Sequence, residues 1–115
     1  MTYEDRNPRD SSPLQVSRIR GIAQDAQLLP IDACVGVFTE PDHTLIAETE
    51  SDDVGHFEIA GIPDGNYRLM VKSAYVGFCP ANTRLQLDRR AKTKKTLLAK
   101  MRPADSDTCS FIELK

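Results

Sequence analysis

Thiols and imidazoles carry the widest chemical repertoire available to a chain, since thiolates pair, ligate metals or attack carbonyls, while imidazoles ligate metals or move protons. This sequence offers Cys34, Cys79, Cys109, His43 and His56. Cys79 lies in Gly77-Phe-Cys79-Pro80 and Cys109 in Asp107-Thr-Cys109-Ser110, ahead of the last apolar run. We expect a disulfide between Cys79 and Cys109, tying the end of the chain to an earlier loop. Closing about thirty residues is worth roughly 3–4 kcal/mol on the chain-entropy view. Spacing alone does not fix connectivity, and two unpaired half-buried thiols are the alternative. Cys34 is then the odd, inert thiol.

A metal centre built from these cysteines and histidines is not expected, because no two of them stand at the close spacing of zinc knuckles. His43 falls in the turn Pro41-Asp-His-Thr44 and His56 in an outward position between Gly55 and Phe57, so both read as solvated surface residues. Neither has a sequence partner for nucleophilic catalysis. No catalytic residue, cofactor or metal is therefore expected.

Two charge runs remain. The acidic one, Glu48-Thr-Glu50-Ser-Asp52-Asp53, lacks the twelve-residue pattern of a calcium loop. The basic one, Arg89-Arg90-Ala-Lys92-Thr-Lys94-Lys95, has no interleaved aromatic on which a base could stack. Both read as solvated turns. Fifteen basic and seventeen acidic side chains give a formal net charge of −2 over 115 residues, which argues against general attraction to nucleic acid or anionic lipid. No apolar run approaches the ~18 residues of a membrane helix, and the length allows one domain.

The elements that would hold these groups are short and β-prone. Runs at Val16 to Gln24, Ala33 to Thr39, Thr44 to Glu50, His56 to Gly61, Asn66 to Tyr75, Arg84 to Arg89, Lys95 to Arg102 and Cys109 to Leu114 alternate with Pro, Gly and Asn turns. This predicts a single antiparallel Greek-key β-sandwich of seven or eight strands over residues 16–115, preceded by a mobile lead over residues 1–15. Alternation turns Phe57 and Ile59 inward, with Ala33, Val35 and Val37, Tyr67, Leu69 and Val71, and Leu85 and Leu87. Arg68 and Lys72 point outward.

At this point Ile19-Arg-Gly21-Ile-Ala23, Ala33-Cys-Val35, Thr49-Glu-Ser-Asp-Asp-Val-Gly55-His-Phe57 and Ile62-Pro63-Asp-Gly65-Asn-Tyr67-Arg-Leu69 resemble the carboxypeptidase regulatory-like domain. The likeness covers about Ser17 to Val71. It implies a transthyretin-like, or prealbumin-like, sandwich that accompanies other modules as a structural or interaction unit. The hydroxyisourate hydrolase among the transthyretin relatives ends in Tyr-Arg-Gly-Ser, whereas this chain ends Phe111-Ile-Glu-Leu-Lys115, which disfavours the enzyme. Lys-Asn isopeptide bonds of similar adhesin folds are also unexpected, with Arg18 and Arg20 where a lysine is wanted.

The resulting expectation is a non-catalytic structural or protein-interaction module; a carbohydrate-binding, peptide-binding or inhibitor module is the alternative, and a small metal-dependent enzyme stands behind both. The expected partner is another protein or an attached domain, with no nucleic acid and no membrane insertion. The first residues lack the basic start and apolar centre of a signal peptide, yet a structural disulfide belongs to oxidising compartments, so an extracellular or periplasmic site is expected and the cytoplasm is the alternative. Phe38 and Met70 fall off the inward rows. On neighbouring strands they would join Cys34 as an exposed apolar face, the kind of surface that marks an interface when contiguous and means nothing when scattered.

Overall fold

The structure, a computed structural model, describes residues 13–74, 77–93, 95–103 and 110–115. Among these residues it is all-β. Nine strands form: β1 Leu14–Val16, β2 Ile19–Gln24, β3 Ala33–Thr39, β4 Leu45–Glu50, β5 His56–Ile59, β6 Gly65–Ser73, β7 Ala81–Leu87, β8 Leu97–Lys100 and β9 Phe111–Leu114. They make a five-stranded sheet in the order β1-β7-β6-β3-β4 and a four-stranded sheet in the order β5-β2-β8-β9.

Two features depart from the sequence expectation. The run from Val16 to Gln24 is two strands rather than one, because the chain crosses between sheets at Ser17-Arg18. The crossing is held by the Asp88 N–H donating to the Val16 carbonyl at 2.9 Å and by the Ser17 hydroxyl donating to the Thr93 carbonyl at 3.3 Å. Nine strands therefore stand where seven or eight were expected, and β1 begins at Leu14, inside the predicted lead. The sheets are also mixed, not antiparallel throughout: β1 runs parallel to β7 and β2 parallel to β8. Residues 1–12 lie outside the described residues.

The inward rows fall where alternation puts them. Val35, Val37, Leu69, Val71 and Leu85 are buried from one sheet, and Ile19, Phe57, Leu97 and Ile112 join them in the same cluster from the other. Both sheets thus bury their inner faces against one core, as sandwich layers do. Tyr67 enters this core with its hydroxyl donating to the Pro63 carbonyl at 2.6 Å, which satisfies the polar end of a mostly buried ring. Gly21 is a point of close approach within the four-stranded sheet. A Cβ there would lie 2.2 Å from the Leu97 carbonyl oxygen and 2.8 Å from Phe57 Cζ, so only glycine lets β2, β8 and the Phe57 ring meet.

Candidate functional site

The inward rows dictate an outer face on the five-stranded sheet. Pairing of β3 with β6 sets Cys34 opposite Lys72, Gly36 opposite Met70 and Phe38 opposite Arg68. Cys34, Phe38 and Met70 therefore share one face, Cys34 exposed and the other two half-buried. Gly36 leaves a gap in that face. A methyl placed there would sit 3.1 Å from Leu45 Cδ1 and 3.2 Å from Phe38 Cε1, so Leu45 and the Phe38 ring close over the glycine. Leu45 remains 46% exposed and its neighbour Ile46 43%, extending the apolar area to the open edge at β4.

Beside this patch runs a chain of polar contacts. The Arg68 Nε donates to Glu40 Oε1 at 2.9 Å and its Nη1 to Asn82 Oδ1 at 2.6 Å, while His43 Nε2 lies 3.3 Å from the same Glu40 oxygen. Arg84 stands opposite Arg68 across the β6–β7 pair. Glu40, Asn66, Arg84 and Gln86 border an open groove of about 460 Å3. Below it, the turn from β3 to β4 is tied by the Thr39 and Thr44 hydroxyls, which donate to the two oxygens of Asp42 at 2.6 and 3.1 Å. The Thr39 bond first, then the Thr44 bond, hold the Asp42 carboxyl below its usual range.

A second open groove, of about 500 Å3, follows the side of the molecule where β4 ends and β5 begins. Glu50, Asp52 and Glu58 line it with Arg20, Ile22 and His56. Arg20 is opposite Glu58, and Ile22 opposite His56. Asp52 is already engaged, since its Oδ1 accepts from the Val54 and His56 amides at 3.0 and 2.8 Å and shapes the turn that Gly55 completes at φ 84°. A carboxylate used this way caps a turn. Among the described residues no group of three or more His, Cys, Asp and Glu side chains is placed to hold a metal ion.

The remaining predicted groups lie elsewhere. Cys34 is a free, exposed thiol. The amide of Cys79 donates to the Arg102 carbonyl at 2.9 Å, and Ser110 Oγ accepts from the Arg102 amide at 2.7 Å. Cys109, the expected partner of Cys79, lies outside the described residues. The basic turn is folded back on acids: Asp64 Oδ1 accepts from the Arg89 amide at 3.2 Å, and Asp88 Oδ1 from the Arg90 amide at 2.9 Å.

Leu45 and Ile46 were not recognisable in the sequence as surface apolar residues. A bulge between Val37 and Phe38 shifts the β3–β4 register, so Val37 faces Ala47 while Phe38 faces Leu45, and strict alternation through β4 fails at Ile46. The Glu40–Arg68–Asn82 chain gave no local signal either, because its members are far apart in sequence. A comparison with protein-family models finds no match, and a comparison with curated proteins finds none.

Proposed function

We propose that this chain is a non-catalytic protein-interaction module, of the carboxypeptidase regulatory-like type and transthyretin-like in fold, that binds another protein through the outer face of its five-stranded sheet. The observation that carries the reading is the contiguity of Phe38, Leu45 and Met70 around Gly36, beside the exposed Cys34. A solitary sheet face is normally polar on the solvent side, and an apolar cluster there, here bordered by Glu48, Arg68 and Lys72, favours association. The neighbouring of β3 and β6 supports the transthyretin-like reading, as do the Asp52–Gly55 turn before Phe57 and the Pro63–Gly65 segment before Tyr67. The non-catalytic reading rests on the carboxylates nearest the histidines, which are committed to Arg68 and to turn amides.

A Cys79–Cys109 bridge, and with it residence outside the cytosol, belongs to the same proposal. Arg102 supports it by hydrogen bonding both Cys79 and Ser110, the neighbour of Cys109. The test of the reading is a Phe38→Ser, Met70→Ser double variant compared with the wild type in sedimentation and in quantitative co-purification of the wild type's bound protein. At least a ~10-fold loss of association is expected, with an unchanged circular dichroism spectrum. Equal association by a folded double variant removes the face from consideration.

A further inference from the structure

The partner's chemistry is written along the open edge of β4. Hydrogen-bonded pairs alternate along an antiparallel ladder. The Ser51 amide donates to the Ala33 carbonyl at 2.9 Å, which makes Ala33 and Ser51 a bonded pair. Two residues on, the bonded pairs are Val35 with Thr49 and Val37 with Ala47. The N–H and C=O of Glu48 and Glu50 consequently point away from β3, and neither residue joins a backbone bond beyond β3 among the described residues.

Among the described residues β4, six residues long, is the longest of the four edge strands; β1 has three, β5 and β9 four each. Its ends differ in character. Leu45 and Ile46 are exposed, and Leu45 faces Phe38. At the other end Glu48 and Glu50 face outward, and Glu50 leads into the groove that Asp52 and Glu58 line. Such charges repel acidic strands and would lose hydration under a neutral one, a device that keeps edges from aggregating. They also oppose a second copy of this chain, since antiparallel self-pairing centred on Glu48 sets carboxylate against carboxylate. The same charges favour a cationic strand.

We infer that β4 receives an extended segment of another protein as an added strand, with basic side chains opposite Glu48 and Glu50 and apolar ones opposite Leu45 and Ile46. The inference rests on the protein-interaction reading above and specifies its partner. Backbone bonds supply the attachment, and alternate side chains supply selectivity.

The test uses the full chain and synthetic capped peptides KTKTVVT and TVVTKTK, which present the pattern in both directions, with ETETVVT and TVVTETE as acidic counterparts. Anisotropy titration should show one basic peptide binding at least ~10-fold more tightly than its acidic counterpart, with affinity falling as salt rises. In Glu48→Lys, Glu50→Lys the preference should invert. Glu48→Pro, which deletes an outward amide without touching the β3 ladder, should weaken the favoured peptide by ~10-fold or more in a protein whose circular dichroism is unchanged. Equal binding of basic and acidic peptides, an uninverted preference in the lysine variant, or a wild type that sediments as a dimer blocked by Glu48→Pro would each overturn it. Failure here alongside a positive Phe38, Met70 result discards only the partner's chemistry; failure of both discards the interaction reading.

Discussion

Leu28 is the clearest single-residue tension in the molecule. It holds φ 66° while 68% exposed, a left-handed conformation that costs an L residue roughly 1–2 kcal/mol and that its side chain does little to offset. The loop imposes it, through Asp25 Oδ1 accepting from the Gln27 and Leu29 amides. Leu28→Gly should therefore raise stability by about 0.5–1 kcal/mol in urea melts; a loss would mean that Leu28 is held by contacts of its own. Gly21 is the opposite case. Gly21→Ala forces a Cβ against the Leu97 carbonyl and should cost about 1–3 kcal/mol, and a neutral result would contradict the β2–β8 packing described above. At Tyr67, truncation to alanine should cost about 3–5 kcal/mol, whereas Tyr67→Phe, losing only the bond to Pro63, should cost nearer 1 kcal/mol. Asp42 adds a pH signature. Its folded carboxyl is held below its ordinary range, so its contribution is fully present above that range and disappears as pH falls through the lowered value. The stability gap between wild type and Asp42→Ala should accordingly narrow on acidification, and a gap that widens instead would reverse the sign of the linkage.

At the scale of strands, two-residue alternation made β3 and β6 legible, because each carries an uninterrupted apolar row and is bounded by turn residues. It placed Cys34, Phe38 and Met70 on a common side for the same reason. Alternation was silent about β1 and the parallel pairings, which depend on a crossing at Ser17-Arg18 with no Pro or Gly to mark it. It was misleading at β4, where Ile46 is the extra residue of a bulge opposite Val37 and Phe38 and changes which residues face out. The candidate site was therefore half legible: its β3–β6 part follows from pattern, whereas Leu45, Ile46 and the Glu40–Arg68 contact depend on long-range register. Exchange of amide hydrogens tests the edge geometry directly. Ala47 and Thr49, whose amides face β3, should exchange slowly, and Glu48 and Glu50 much faster. Uniform protection along Leu45–Glu50 would show that the edge is covered.

Taken as a whole, the described residues have one core shared by two sheets. The apolar patch, the open strand edge and the carboxylate groove follow one another around the outside of β3, β4 and β5. Mapping of protein purified without reductant should find Cys79 joined to Cys109 and Cys34 alkylatable; three alkylatable thiols would remove the bridge and the argument for an oxidising compartment. The interaction face itself is best interrogated through Cys34, because an exposed thiol already stands at its border. A photo-crosslinker attached there should capture the chain's binding protein, and the capture should fall at least ~10-fold in the Phe38→Ser, Met70→Ser background. The same reagent on the far sheet, in Cys34→Ser, Glu113→Cys, should capture little. Equal capture from both sheets, or capture from Cys34 that survives the double substitution, would contradict the assignment of this face as the docking surface.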